Sequence, residues 1–269
     1  MFANTLPDLQ RAVGPQGKLQ IAIDPRLASL FQRSFPGAEI GTCEDRAILD
    51  KDGNMVVRLV PFAVKDGEPD FYVLMGSTMR VLRKRLKDFP HEAYLKPDSA
   101  RVEHFRKTLH AEGAGPLVGI CWRSMMLGPK RAKYYSTLDK WGPILKTPGV
   151  RFVNLQYGDC ADELAQARDL FGIDIKTIEG LDLTNDIDGA AALSAALDLM
   201  ISAPTAAAAI AGSVGTEVWF LTAGRTWPQL GTDEYPWYRK SRVFSPAKFA
   251  DWNELIPRIG ECLADFVLR

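Results

Sequence analysis

The sequence predicts an α/β protein whose second half is a doubly wound parallel sheet. From Leu117 onward, short apolar runs of strand length alternate with segments of helical period. Helix-start and turn residues punctuate that alternation. The clearest stretch is AAALSAALDLMISAPTAAAAIAGSVGTEVWFL, from Ala190 to Leu221. It reads as an apolar helix, a buried strand (Leu197 to Ser202), a tight turn, a small-residue helix and a second strand, one complete α/β unit.

Taken in order, Phe2, Leu6, Leu9 and Val13 share one helical face. LQIAID (Leu19 to Asp24) is a strand, and Pro25 starts a helix that ends at Pro36-Gly37. Ala38 to Gly41 is a further short strand. Residues 42–72 are mixed, with a turn at Asp50-Lys51-Asp52-Gly53-Asn54 and a proline-limited strand in MVVRLVPFAV. GSTMRVLRKRLK (Gly76 to Lys87) reads as a basic amphipathic helix, either a solvated face or a contact for phosphate or acceptor.

A polar helix spans Asp98 to Ala111, and Glu112-Gly113-Ala114-Gly115-Pro116 breaks the chain. The expected division is 1–112 and 113–269. Gly113, Gly115 and Gly119 precede the next strand instead of following it, so they form no dinucleotide fingerprint. Strand Leu117 to Trp122 leads into RSMMLGPKRAKYY and then a helix, STLDKWGPILK, with Ser136 as cap and Asp139 at its third position. Strand Val150 to Gln156 leads to YGDC and a helix through Phe171. A short strand in IDIKTIE, a helix capped by Asp188 and the unit described above complete the series. A Trp/Pro-rich loop (Trp227 to Pro246) and a helix from Trp252 to Leu268 close the chain.

Composition narrows the function. The 269 residues are 46% hydrophobic and 25% charged with zero formal net charge, which gives no bulk attraction for nucleic acid or an anionic membrane. Cys43, Cys121, Cys160 and Cys262 form no CxxC pair, so neither zinc nor a disulfide framework is expected, and no cofactor is indicated. MFANTLPDLQ lacks the features of a signal peptide, and the apolar tract around 190–221 is interrupted by Asp198, Pro204, Thr205 and Glu217. A cytoplasmic protein without a transmembrane segment is expected.

In such a sheet, ligands meet the loops that follow strands. Arg123, Ser124, Arg131 and Lys133 place cations and a hydroxyl after one strand, able to neutralise a diphosphate or to remain a solvated loop. Gln156-Tyr157-Gly158-Asp159 follows the next, as a reader of base or ribose or as a simple turn. In Asp182 to Gly189 a calcium loop fails because its twelfth position is Ala195; the segment, with Asp186, is a helix start whose backbone can hold a nucleobase edge. Ser202-Ala203-Pro204-Thr205 starts a helix whose first free N–H groups, from Ala206 on, suit a phosphate or belong to an ordinary capped core helix. None of His91, His104 and His110 lies on these strand ends, and no metal or hydrolase triad is indicated.

VGICWRS, the Ser-Thr-Leu-Asp-Lys-Trp segment, GVRFVNLQYGD, DLTNDIDGAAALSAALDLMIS, PTAAAAIAGSVGTEVW and WPQLGTDEYPWYRKSRVF cover most of 117–269. In that order they resemble the C-terminal half of a GT-B glycosyltransferase, of the ADP-heptose:lipopolysaccharide heptosyltransferase-like kind (family 9) found C-terminal to TPR repeats. LPDLQ…DPRLASLFQRSFPGAEI resembles part of the N-terminal Rossmann-like half. The resemblance implies a GT-B-like fold of two Rossmann-like halves, the N-terminal one incomplete because the family's first strand and Gly-rich turn would precede MFANTLPDL.

It also implies metal-independent transfer of a sugar from a nucleotide-diphosphate donor to a glycan, lipid or protein acceptor. Thr205 matches the phosphate-binding Thr; Arg123, Arg131 and Lys133 fall where the diphosphate cation lies; Gln156 matches the strand-end Gln; Asp186 and Asp188 fall before the nucleotide-side helix. Pro204 and Ala209 replace the family's Asp and His, and the family's turn carrying the base is missing. Asp24 is the one carboxylate considered for that role. These departures keep open a truncated or degenerate nucleotide- or glycan-binding module, and a sugar-nucleotide epimerase shares the fold.

Overall fold

A computed structural model describes residues 1–48, 55–65, 67–126 and 128–268, with the backbone alone for 45–48 and 55–58. Its centre is a parallel sheet of five strands: β5 (Leu117–Cys121), β6 (Arg151–Asn154), β7 (Leu199–Ser202), β8 (Glu217–Leu221) and β9 (Ser241–Phe244). The spatial order is β6-β5-β7-β8-β9, every pairing parallel. The chain steps from β5 to one side, then crosses back to build the other side. The direction of winding therefore reverses between β5 and β7.

Period-two alternation splits each strand between two cores. On one face, Val118, Ile120, Leu199, Ile201, Trp219 and Leu221 pack under α6 (Gly142–Leu145), α7 (Ala161–Phe171) and α10 (Trp252–Val267). On the other, Leu117, Cys121, Met200, Val218 and Phe220 meet α4 (Ser99–Ala111), α8 (Ile187–Ala195) and α9 (Ala206–Ser213). β5 and β7 are buried along their whole length, which is why they read as unbroken apolar runs. The second core extends without a break into the N-terminal residues Leu6, Ile21, Ile23, Leu30 and Phe31.

The N-terminal region is built from smaller pieces. β1 (Leu19–Ile23) and β2 (Ala38–Thr42) form a two-stranded parallel sheet, and β3 (Glu44–Ile48) pairs antiparallel with β4 (Met55–Leu59). Helices α1 (Leu6–Val13) and α2 (Ala28–Ser34) flank β1, and α3 is the single turn Met79–Leu82. The turn expected at Asp50 to Asn54 lies outside the described residues.

Several expectations require correction. The basic helix over 76–87 is instead a 3-10 turn (Met75–Thr78), α3 and another 3-10 turn (Leu86–Asp88). The helix stops at Arg83, whose guanidinium is drawn inward to the Asn4 carbonyl and the Asp8 carboxylate, each at 2.6 Å. The helix expected from Ser136 breaks into Leu138–Lys140 and α6, where Pro143, which lacks an N–H, sits in the first turn and favours a new helix start. Ser136 caps neither piece; its hydroxyl donates to the Thr137 carbonyl.

The strand expected in IDIKTIE shrinks to one bridge, Val153 to Lys176, at the outer edge of β6. Arg168 pairs with Asp174 and Glu112 with Lys176 on this exposed margin. Also not foreseen were β3, β9 within the Trp/Pro-rich loop, and the short helix α5 (Pro129–Ala132) after β5. Gly115 has φ 104°, and a Cβ there would stand 2.1 Å from the Gly149 carbonyl oxygen. The Gly-rich run before β5 thus serves the backbone.

Candidate functional site

The loops at the carboxyl ends of β5, β6 and β7 meet where the winding reverses. α9 begins there, since Thr205 adopts extended backbone and its hydroxyl accepts from Ala208 N–H at 3.4 Å. The N–H groups of Ala206 and Ala207 have no hydrogen-bond partner among the described residues. Ala206 is exposed, so the positive end of α9 opens outward. Alanines behind it let the helix lie close to the sheet: Ala207, Ala208 and Ala211 are buried.

Cys121 ties this helix start to the neighbouring loops. Its thiol lies 3.5 Å from the Thr205 hydroxyl, 3.5 Å from Gln156 Oε1 and 3.7 Å from the Arg123 carbonyl. Burial pushes the thiol pKa up to about 11, so it stays protonated, a structural link and not a nucleophile.

Gln156 is buried and its side chain is fully engaged. Its Oε1 accepts from the N–H groups of Trp122 (3.1 Å) and Arg123 (3.0 Å), and its Nε2 donates to the carbonyls of Arg123 and Tyr157, each at 3.0 Å. In place of a strand partner, this amide braces the loop after β5. Arg123 is also committed: its guanidinium forms a two-pronged ion pair with Glu163 at the start of α7 and donates to the Asp159 carbonyl at 2.8 Å. Glu163 takes a further bond from Trp122 Nε1 at 2.8 Å. Glu163 carries no motif, and Cys121 lies within VGICWRS with nothing to mark its contacts with Gln156 and Thr205, so the sequence offered no signal for these pairings.

Ser124 is half-buried, and its Oγ accepts from Met126 N–H at 3.4 Å. Arg131 and Lys133 lie on and just after α5, and both are exposed. Lys133 Nζ sits 5.3 Å from the Tyr134 ring centre and 6.0 Å from that of Phe249. Those rings line a cleft of about 920 Å³ at the ends of β8 and β9, with Arg225, Arg242 and Arg258 on its walls. The predicted cations therefore separate. Arg123 stands at the winding reversal, and Lys133 stands beside two rings of the neighbouring cleft.

Asp186, not Asp188, caps α8: its carboxylate accepts from Gly189 N–H at 2.8 Å. Arg101 on α4 grips the same carboxylate, with Nη2 to Oδ2 at 2.6 Å, and holds its pKa below the usual carboxylate range against the opposing effect of burial. Asp188, the second residue of α8, pairs with Arg33 on α2 at 2.6 Å, and Arg26 donates to the Thr184 carbonyl at 3.1 Å. Three arginines from before β5 thus hold the loop ahead of α8. Asp24 caps the turn Pro25–Leu27 and is ion-paired to Arg26. Among the described residues no cluster of His, Cys, Asp and Glu is arranged to hold a metal, and no helix is long and apolar enough to cross a membrane.

No family model matches the chain. Over 99% of its length it superposes on the ADP-heptose LPS heptosyltransferase II of E. coli, covering 94% of that chain with a TM-score of 0.62 at 13% identity. The fold is that of a GT-B protein. At this identity the likeness concerns the fold alone. A family 9 glycosyl transferase from Veillonella parvula superposes over 56% of the chain with a TM-score of 0.43, too loose to argue from. In sequence the chain is 41% identical over 267 residues to Protein FlbA of Caulobacter vibrioides. That match takes in 99% of this chain but 44% of FlbA, so the chain spans less than half the length of this relative.

Proposed function

We propose that this chain is a glycosyltransferase unit that moves a sugar from a nucleotide-diphosphate donor to a glycan, lipid or protein acceptor without a metal. The observation that carries the reading is the outward-facing N-terminus of α9 at the winding reversal, with Ala206 and Ala207 N–H groups unpaired beside the Thr205 hydroxyl. The GT-B fold and the family 9 resemblance support it. Thr205 and these N–H groups take the donor phosphates, and Arg123, held by Glu163, adds positive charge as the diphosphate departs. Ser124, Arg131 and Lys133 stand on the same loop, while Gln156 shapes that loop and Asp186 sets the start of α8 that faces the nucleoside. An acceptor hydroxyl attacks the anomeric carbon, the bond from that carbon to the phosphate oxygen breaks, and the electron pair leaves with the nucleoside diphosphate. The hydroxyl proton passes to a base that no residue here identifies.

The domains divide at 112/113 in this reading, with the donor bound by the C-terminal one. In a longer protein it would stand beside TPR repeats, for which FlbA has length to spare. Its expected location is cytoplasmic, and nucleic acid is not among its partners. A second reading, a nucleotide- or glycan-binding module without turnover, is favoured by Pro204 and Ala209 where the family resemblance expects Asp and His.

Calorimetric titration with ADP, UDP and GDP tests the site, run beside Thr205→Ser and Thr205→Ala. One base should bind, Thr205→Ser should keep most of the affinity, and Thr205→Ala should weaken it by about tenfold, the worth of one hydrogen bond to a charged phosphate. Unchanged binding in Thr205→Ala would remove the site. Labelled donor sugars then separate the two readings, because a binding module forms no product.

A further inference from the structure

The segment from Phe71 to Lys87, FYVLMGSTMRVLRKRLK, contains five cations and no acid, in a chain whose 33 basic and 33 acidic residues balance. It also concentrates apolar exposure. Phe71 is 92% exposed, Tyr72 93%, Leu74 79% and Val81 70%, with Val73 and Leu86 exposed as well. Large apolar side chains presented together at such exposure mark a surface that meets another phase or molecule.

The segment is anchored from Leu74 onward, where the Leu74 carbonyl accepts from Ser77 N–H at 2.8 Å. Thr78 is buried, bonded to the Met75 carbonyl at 2.5 Å and to the Thr5 hydroxyl at 2.8 Å. Arg83 is internal, held by Asn4 and Asp8. Arg85 pairs with Asp88. That leaves Arg80, Lys84 and Lys87 exposed in the same segment as the apolar side chains, with no ion-pair partner among the described residues. The apolar surface continues beyond the segment. Gly76 lies against the Phe2 ring, and Phe2 stacks at 6.3 Å on Trp227, which is 61% exposed. Glu68 and Asp70, both exposed, stand just before Phe71 in sequence.

We propose that this surface docks on an anionic phospholipid bilayer, with Phe71, Tyr72 and Leu74 entering the headgroup region and Arg80, Lys84 and Lys87 meeting lipid phosphates. Charge complementarity decides the occupant. Aromatic and aliphatic side chains beside unpaired cations, with no acid among them, suit an apolar layer covered by negative headgroups. Tyr72 and Trp227 have the amphipathic rings that settle at such an interface. The inference does not depend on the glycosyl-transfer reading.

Co-sedimentation with vesicles of phosphatidylcholine containing about one-third phosphatidylglycerol tests it, beside vesicles of phosphatidylcholine alone. The chain should bind the anionic vesicles, bind neutral ones at least tenfold more weakly, and dissociate at about 0.5 M salt. Arg80→Gln/Lys84→Gln/Lys87→Gln should weaken binding by about a hundredfold, near a fivefold loss per cation. Phe71→Ser/Leu74→Ser should weaken it by at least tenfold with an unchanged thermal midpoint, because both side chains are exposed. Equal binding to both vesicles, binding to neither, or either variant behaving as the parent overturns the proposal. Self-association abolished by Phe71→Ser/Leu74→Ser, without vesicle binding, overturns it in favour of a second copy of the chain.

Discussion

The parallel sheet after Leu117 and the pieces before it solve the same problem in different ways. β5 and β7 have strands on both sides and helices on both faces, so each buried side chain is enclosed by fixed neighbours. β1 pairs with β2 alone among the described strands, and its pattern alternates between exposed Ala22 and buried Ile21 and Ile23. The first region is held by its own layers. The second is held mainly by what it leans on, through a core shared with α8 and α9 and through the Arg33–Asp188 and Arg101–Asp186 pairs that flank the loop before α8. The difference teaches that the candidate phosphate site rests on the layered region, while the loop before α8 is set by residues outside it.

The same truncation in both sheets gives the largest expected effect. Ile201→Ala in β7 should cost about 4–5 kcal/mol, the upper part of the range for emptying a closed core, and Ile23→Ala in β1 about 2 kcal/mol, because its surroundings can collapse. Equal losses in chemical denaturation would break the comparison. Gly260→Ala comes next. A Cβ there would stand 2.4 Å from the Pro143 carbonyl oxygen, a backbone atom that cannot swing aside, so α10 must lift from α6 at a cost of about 1–3 kcal/mol, read as a lower thermal midpoint. A neutral outcome would mean that the outer helix layer yields as readily as the N-terminal pieces.

The smallest effect sharpens the comparison through pH. The Arg101 guanidinium holds the Asp186 carboxyl below its ordinary value, so the stabilisation it provides is complete above about pH 4 and is lost as the pH falls through the lowered folded value. Asp186→Asn keeps the helix cap but not the ion pair. It should lose part of the stability present at neutral pH and flatten the fall in melting temperature on acidification, and an unchanged pH profile would show that the pair contributes nothing.

Much of the C-terminal architecture was legible because its elements are defined locally. The runs LVGIC, LMIS and EVWFL are apolar but for Ser202 and Glu217 at their ends because they are covered on both faces, and Thr205 announces α9 by its own chemistry. β9 was missed because SRVF is an edge strand with only Phe244 fully buried, lacking the unbroken apolar signal of its neighbours. The basic segment was read as one helix because its period is helical, but the inward pull of Asn4 and Asp8 on Arg83 ends that helix after one turn. At the candidate site, residue types pointed to the loops but not to the partners. Arg123 and Gln156 were visible, but their partners were not: Glu163 lies forty residues from Arg123 and Cys121 thirty-five from Gln156, and neither pairing is marked by a local spacing.

The sequence by itself determined the alternation of strands and helices, the apolar core strands and the capped start of α9, because each follows from neighbours a few residues apart. Only the tertiary structure decided that Asp186 and Asp188 answer to Arg101 and Arg33, that Gln156 braces a loop, and that Phe71 to Leu74 face outward. Those outcomes depend on which distant groups compete for each charge and each apolar surface, and that competition is settled when the layers pack.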